Sequence, residues 1–383
     1  MRGLPAGWYL DPARGPLEFS AVFGRSWQFV CHVADLPAPG TAARFDCGGR
    51  SAFVLRTRAL ELRAFRNACS HRGSRLVDGD PGTGFAFCVD GRVRCPYHGW
   101  TYDEHGHLES IPSGQRFDGL EPGAASLAAL PVAQWRGLVF AAFAEPERAL
   151  AATLDQVASD WPDVSAMRRL GEPRTLNVEA DWKLVCEHAL DTAHLGVTRP
   201  APKSRLFEPD GFTAAGPDAL RAAGVEVDAT RASWSARAFL QLRGAAGEGS
   251  RARWLYLWPN LLLGATEDAV TVLQALPLRT GASRWRVLRY GRPDSSRATR
   301  VLRYLHERVV RRALQDDARL LERVQQGLVN VDVAATMPLD AAQTGLRWFV
   351  DRCRVAMERD SPATVAAKSR PRRPRTAPAV PTG

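Results

Sequence analysis

Apolar residues Phe19, Val22, Phe23, Trp27 and Val30 recur at spacings of three to five, a short amphipathic helix signal. Residues 51–66 (SAFVLRTRALELRAFR) alternate as two strands around a turn, and similar short strands recur to about residue 143. That stretch predicts an all-β segment of roughly 100 residues. Alanine- and proline-containing linkage over 144–165 separates it from a second half with a different rhythm. There, residues 182–195 read as a helix with Asp181 as N-cap, and 252–263, 269–276 and 284–290 read as successive antiparallel strands. A long helix is predicted over 297–326, with Val301, Leu305, Val309, Leu314, Leu320 and Val324 on its apolar stripe. Helices and strands are segregated rather than strictly alternating, which favours an α+β fold. No internal repeat is visible.

Composition narrows the class. The 383 residues suffice for two domains with a substantial core, and the hydrophobic share of 45% and charged share of 24% are those of an ordinary soluble protein. No apolar run approaches the ~18 residues of a membrane span. The N-terminus (MRGLPAGWYLDPARGPLEF) shows neither an apolar signal core nor a small-residue cleavage site, so the expected compartment is the cytoplasm. A net charge of +10 invites a nucleic-acid partner, yet half of it sits in residues 361–383 on Lys368, Arg370, Arg372, Arg373 and Arg375. That Pro/Ala/Arg tail has too few large apolar residues to offset its ordering entropy and is expected to be disordered. The remaining charge is dispersed, and no nucleic-acid or membrane partner is expected. The seven cysteines are odd in number and scattered, which argues against a disulfide framework.

Two of those cysteines carry chemistry. Cys69-Ser-His71-Arg-Gly is followed, after 23 intervening residues from His71, by Cys95-Pro-Tyr-His98-Gly-Trp100. A Rieske-type [2Fe–2S] centre needs two thiolates on one iron and two neutral imidazoles on the other. One Cys and one His from each of two loops supplies that set, and Gly73 and Gly99 permit close approach of loop amides to the sulfurs. A Cys2His2 zinc site uses the same ligand types. Zinc knuckles pair like with like, whereas each loop here mixes Cys with His, so the iron–sulfur centre is preferred.

These loops resemble those of the Rieske non-haem iron oxygenases (ring-hydroxylating oxygenase alpha subunits), which read C-x-H-R-G and C-P-Y-H-G-W. The resemblance extends through SWQFVCHVADLPAPG and LRAFRNACSHRG before the cluster and TYDEHGHLESIP after it. It implies an N-terminal all-β Rieske domain over 27–145, preceded by a helical segment (1–26) packing on the C-terminal domain. It further implies a helix-grip-like catalytic-type domain of antiparallel sheet and helix over 146–360. The interval between the loops is longer than usual, with GDPGTGFAFCVDG as the extension, and Cys88 within it has no assigned role.

The resemblance continues through DWKLVCEHALDTAHLGVTRP, where the family reads N-W-K-x-x-x-E-N and then D/E-x-x-H-x-x-x-x-H. Two His and a later carboxylate form the facial triad that holds mononuclear Fe(II). By this match Asp191 is the inter-subunit electron-transfer bridge, facing the cluster ligand His98 of a neighbouring subunit, and His194 is the first iron ligand. The second ligand position is Arg199, whose guanidinium has no lone pair to offer. Asp181 and His188 stand where the family has Asn. QDDARLLERVQQG resembles the family's D-x(7)-Q-x-G segment and places Asp317 as the third ligand. No other histidine is expected to complete the site. On one continuous helix His188 and His194 would differ by about 120° in direction and ~9 Å along the axis. His306 would lie ~16 Å from Asp317, and His32, His105 and His107 belong to the cluster half.

An incomplete triad leaves three expectations. The chain is a working oxygenase, fed by a separate reductase or ferredoxin, that hydroxylates or demethylates a small organic molecule. Alternatively, it is a degenerate subunit passing electrons to, or structurally supporting, an intact homologue in a hetero-oligomer, or a stand-alone electron carrier, the least economical of the three. The resemblance implies a trimer-like homo-oligomer for the first. WLYLWPNLLLGATED and VLQALPL are apolar enough to line a small cavity, but an ordinary sheet core uses the same residues, and that plainer reading is preferred.

Overall fold

The computed structural model describes residues 2–79, 84–86, 91–112, 117, 120, 123, 125–159, 161–191, 207–209, 211–226, 252–266, 269–293 and 296–359. The tail 361–383, Cys88, His194 and Arg199 lie outside the described residues. The first half is all β, as its alternation predicts. Strands Arg50–Arg56 and Leu62–Arg66 pair antiparallel and are flanked by Thr41–Cys47, Gly84–Ala86 and Ala129–Leu130 in a five-stranded sheet. A second sheet joins Gln28–His32, Leu138–Ala141 and Val132–Trp135, and a third joins Val93–Arg94, Thr101–Tyr102 and Leu108–Ser110.

The helix expected from Phe19 to Val30 is shorter and earlier than its spacing suggests. Helix Arg14–Glu18 runs into a single π-helical turn, Phe19–Phe23, and the chain enters strand Gln28–His32. All five residues of that strand are buried. It therefore lacks the alternation that marks a half-buried strand, and a run of this kind cannot be told from helix by periodicity.

The second half is built on a nine-stranded antiparallel sheet. Ala282–Gly291 carries Arg168–Arg169 and Arg174–Val178 on one side and Ala269–Arg279 on the other; Leu261–Ala265, Ala252–Leu257 and Ala219–Glu226 follow. Residues 252–263, expected as one strand, are parts of two strands split by the turn at Pro259, where a proline cannot continue the ladder. Asn260 in that turn donates through Nδ2 to the Ala275 carbonyl (2.7 Å), tying the turn to the next strand.

Alternation assigns each face of the sheet a separate duty. Leu255, Leu257, Leu263, Val270, Val272 and Leu288 pack with Phe29, Leu138 and Phe140 of the first half and with Leu154, Val157 and Trp161 of the linker. Trp254, Tyr256, Leu262, Leu273 and Trp285 face the other way, towards the long helix Arg297–Leu328. This helix begins at Ser296, whose side chain caps the Thr299 amide (3.1 Å). Its buried stripe is Leu302, Leu305, Val309, Ala313, Ala318 and Leu321. Val301 and Val324, expected on the stripe, are instead 42% and 41% exposed. The corrected stripe matters because Asp317 lies on it, four residues after Ala313 and four before Leu321, and is buried.

At the seam between the halves, His32 is fully buried. Its Nδ1 accepts from the Ala34 amide (3.0 Å), so Nε2 carries the proton and donates to the Val164 carbonyl (2.9 Å), while the ring stacks on Tyr290. Burial holds this imidazole below its ordinary pKa. The unfolded chain therefore binds a proton more readily, and the stability that neutral His32 contributes is present above pH ~6.5 and lost as pH falls below it. The thermal midpoint of a His32→Gln variant is expected to fall less steeply than the parent's between pH 7.5 and 5.5. Parallel curves would refute the assignment.

Candidate active site: two cluster loops and a walled cavity

The two cluster loops share one backbone design. Cys69 N donates to Ser74 O (2.8 Å) and Gly73 N to Cys69 O (2.8 Å); Cys95 N donates to Trp100 O (2.8 Å) and Gly99 N to Cys95 O (3.1 Å). Each loop thus closes on itself five residues after its cysteine. Each closure passes through a glycine in the left-handed region, Gly73 at φ 69° and Gly99 at φ 74°. At Gly99 a methyl group would also meet Pro112 Cγ at 2.8 Å.

The closure brings all four predicted ligands together. The His71 and His98 rings lie 4.6 Å apart, and the Cys69 and Cys95 thiols are within hydrogen-bonding reach of each other. Burial raises Cys95, but the amides of Tyr97 and His98 point at its sulfur and outweigh that, leaving the thiol below its ordinary value. Burial dominates at Cys69 and raises it, although the Tyr102 hydroxyl sits 3.1 Å from its sulfur. Loss of solvent, with His98 and Arg72 nearby, holds His71 below the usual imidazole value and favours the neutral ring. His98 Nδ1 is buried and has no hydrogen-bond partner among the described residues. A ring nitrogen left in that state fits a metal lone-pair role, and paired thiols facing amide dipoles fit bound sulfur, so these residues suit a [2Fe–2S] cluster. The Trp100 ring covers His71 at 4.9 Å, nearly parallel.

Sequence reasoning missed the residue that holds the first loop. Asn67 is buried; its Oδ1 accepts from the amides of Leu76 (3.0 Å) and Val77 (2.8 Å), and its Nδ2 donates to the Val77 carbonyl (2.7 Å) and to Ser51 Oγ (3.1 Å). An asparagine two residues before a ligand cysteine, with a loop returning behind it, is the signal that could have found it.

In the second half, helix Trp182–Leu190 starts at the predicted cap, Asp181 accepting from the Lys183 amide (3.0 Å). It does not run to 195. Asp191 caps its C-terminus in an extended conformation (ψ 105°). The helix therefore ends five residues before the predicted 195. Asp191 Oδ1 accepts from Gln343 Nε2 (2.5 Å), ahead of the last helix, Thr344–Arg359.

Asp317 reaches a cavity of about 170 Å³ between the sheet and the long helix, and His188 is beside it, Nε2 3.3 Å from Asp317 Oδ1. The remaining wall is mainly apolar: Trp254, Tyr256, Leu262, Leu273, Trp285 and Val309. The segments read as ordinary sheet core therefore line a cavity on one face and fill a core on the other. His306 also lines it, with Nδ1 3.1 Å from an Arg289 Nη. His188 and Asp317 are thus a pair and not yet a triad.

The N-terminal segment locks this geometry. Strand Arg2–Pro5 pairs with Thr336–Pro338, and Glu18 takes hydrogen bonds from Trp182 Nε1 (2.8 Å) and Lys183 Nζ (2.5 Å). Gln325 bridges three elements: its Oε1 accepts from the Asp181 amide (3.0 Å) and its Nε2 donates to the Tyr9 carbonyl (3.1 Å).

Comparison with known proteins agrees with this layout. Residues 26–131 match the Rieske [2Fe-2S] domain, and residues 166–359 match the ring hydroxylating alpha subunit (catalytic domain). The chain belongs to the ring-hydroxylating alpha-subunit family. It is 29% identical over 238 residues to the glycine betaine monooxygenase oxygenase subunit of Pseudomonas aeruginosa, a match covering 61% of this chain and 52% of that protein. The biphenyl 2,3-dioxygenase subunit alpha of Rhodococcus jostii is 35% identical over 134 residues, covering 35% and 28% of the two chains. The first match thus spans about half the length of that relative. Among solved structures, a quaternary ammonium Rieske monooxygenase, CntA, superposes with a TM-score of 0.74 at 19% identity over 93% of this chain and 94% of that one. Naphthalene 1,2-dioxygenase with indole bound superposes at 0.71 and 17% identity, over 96% and 95%. The Rieske domain implies a [2Fe–2S] cluster, and members of this family usually bind mononuclear iron. The other described cysteines, Cys31, Cys47, Cys186 and Cys353, are buried, and burial raises all four thiols, Cys186 to about 12.

Proposed function

We propose that this alpha subunit is the oxygenase component of a cytoplasmic system, taking electrons from a separate reductase or ferredoxin to hydroxylate or demethylate a small, mainly apolar organic molecule. The observation that carries the proposal is the cavity: a buried carboxylate and an imidazole on one side of a mainly apolar chamber. When bound, the cluster would deliver single electrons and ferrous iron would activate O2. In balance, O2, two electrons and two protons turn a substrate C–H bond into C–OH and release one water; on an N-methyl carbon the resulting C–OH breaks down to the demethylated amine and formaldehyde.

The chain's own residues account for the rest. Cys69, His71, Cys95 and His98 would hold the cluster, and Asp317 would hold the iron. The apolar walls exclude water and fix the body of the substrate. The indole N–H groups of Trp254 and Trp285 are buried with no hydrogen-bond partner among the described residues, which favours a substrate that carries an acceptor. Asp191, held by Gln343, would meet His98 of a neighbouring subunit in a homo-oligomer. No helix among the described residues is long and apolar enough to cross a membrane.

The test supplies the iron-loaded chain with a ferredoxin–reductase pair, 18O2 and two probes, glycine betaine and toluene. Conversion of either probe, with label from O2 in the product, is expected. If the cluster cycles but conversion requires an added intact homologue, the chain is an electron-transferring partner subunit and this proposal fails.

A further inference from the structure

The chamber between the sheet and the long helix has two ends, and only one of them carries the His188–Asp317 pair. We infer that Trp254, laid across Gly264 at the opposite end, sets how large a substrate the chamber admits and restricts this chain to a single ring or an apolar body of that size. This rests on the oxygenase reading above and deepens it by naming the size class of the substrate.

The first support is where Trp254 stands. The long helix runs alongside strand Ala282–Gly291. Arg289 meets His306 at one end, and at the other Gln325 Nε2 lies 3.3 Å from where a Cβ on Gly281 would be. Asp317 precedes Gln325 by eight residues, about 12 Å, which sets it level with Trp285, four strand residues or ~13 Å from Gly281. Cross-strand register puts Trp254 opposite Gly264, Gly264 opposite Thr271 and Thr271 opposite Arg289. The row of Trp254 therefore meets the helix at His306, about 13 Å along the strands from the level of Asp317.

The second support is how Trp254 is held. Strand Leu261–Ala265 sends Leu261, Leu263 and Ala265 into the core beneath the sheet and Leu262 to the cavity, so position 264 faces the cavity as well. That position bears no side chain, and the six-membered ring of Trp254 takes its space. A Cβ on Gly264 would meet Trp254 Cζ3 at 2.7 Å and Cε3 and Cη2 at 3.1 Å. Glycine inside a strand weakens it and often marks the close approach of another group. Here the group is the indole, which lies against the sheet and leaves the middle of the chamber open.

The third support is volume. With the indole seated, the cavity measures about 170 Å³. An apolar cavity of about 150 Å³ holds one benzene ring. The chamber therefore suits one ring beside Asp317 and has no room for two fused rings while Trp254 closes its far end.

The competing reading is that Trp254 is ordinary packing on the sheet with no part in selection. Binding separates the two without turnover. The cluster-loaded chain is equilibrated with toluene or naphthalene, and the bound fraction is measured by equilibrium dialysis. The parent is expected to bind naphthalene at least tenfold more weakly than toluene, in line with the roughly 10–200-fold that a pocket extracts from small differences in apolar size. Trp254→Ala should tighten naphthalene at least tenfold and change toluene by less than about threefold. Gly264→Ala should weaken both probes at least tenfold, because its methyl group tips the indole into the chamber. In the Trp254→Ala background that methyl meets no indole, and the added effect of Gly264→Ala should fall below about threefold. The visible spectrum of the cluster and far-UV circular dichroism report an intact fold in each variant.

Equal changes for the two probes in Trp254→Ala would overturn the inference, as would an equal effect of Gly264→Ala in both backgrounds or a parent that takes naphthalene as readily as toluene. If selectivity moves as expected and neither probe is oxidised, the inference stands and the oxygenase reading fails. If the parent oxidises toluene and Trp254→Ala leaves selectivity unchanged, the oxygenase reading stands and the inference falls.

Discussion

A Cys95→Ser chain is expected to lose its [2Fe–2S] cluster while keeping its fold. Cys95 would supply one of two thiolates, and its thiol is already eased towards ionisation by the amides of Tyr97 and His98. A serine hydroxyl is far harder to deprotonate and is a poor ligand for an iron–sulfur unit. The loop itself does not depend on the sulfur: Cys95 N to Trp100 O and Gly99 N to Cys95 O are main-chain bonds that serine retains. The surrounding core of Phe53, Phe65, Val93, Trp100 and Tyr102 is likewise unchanged. Iron should therefore fall by two per chain and the visible absorption should vanish, with far-UV circular dichroism unaltered. A variant that kept a full complement of sulfide and the parental spectrum would show that Cys95 is not a ligand.

The second large effect lies away from the cluster. Lys183 is buried, with Nζ 2.5 Å from Glu18 and 2.7 Å from Asp181. The two carboxylates more than compensate its desolvation and hold it well above the ordinary lysine value. Lys183→Met would leave both carboxylates in the core facing each other with no cation. Breaking a buried pair by removing one partner costs about 3–5 kcal/mol, and here two anions are stranded. Unfolding of the cluster-loaded protein in urea should shift by that amount. Adding Glu18→Gln should restore a large part of it, because one of the stranded charges is removed. A loss below about 1 kcal/mol would mean that the network is solvated.

How much of this was legible beforehand depended on whether a residue's role is local. The two cluster loops were readable because the Cys-x-His and Cys-x-x-His spacings themselves create the loop, and the structure brings the four candidate ligands together. The antiparallel sheet and the long helix were readable from periodicity. What periodicity could not resolve was a strand buried on both faces, such as Gln28–His32, or which of two interleaved stripes of the long helix turns inward. Asp317 was placed by its distance from Gln325 in sequence, but the reason that distance matters was not visible. The helix that carries His188 was expected to continue to residue 195. The helix stops where Asp191 takes an extended conformation, and nothing in CEHALDTAHLG signals a break as glycine or proline would. Asn67 and Gln343 act through hydrogen bonds to loops remote in sequence, which no local pattern encodes.

Gln325 has a consequence for how this site can change over evolutionary time. It clamps the long helix at one height, between the Asp181 amide and the Tyr9 carbonyl, and Asp317 stands eight residues, or about 12 Å, up the same axis. The helix therefore works as a ruler with one end pinned. Between those two residues a single insertion or deletion would turn the carboxylate by about 100° and move it by ~1.5 Å, sweeping it off the cavity wall. Point substitutions there leave the reading of the ruler unchanged. Lineages of this chain should therefore tolerate altered residues between 317 and 325 and reject altered length.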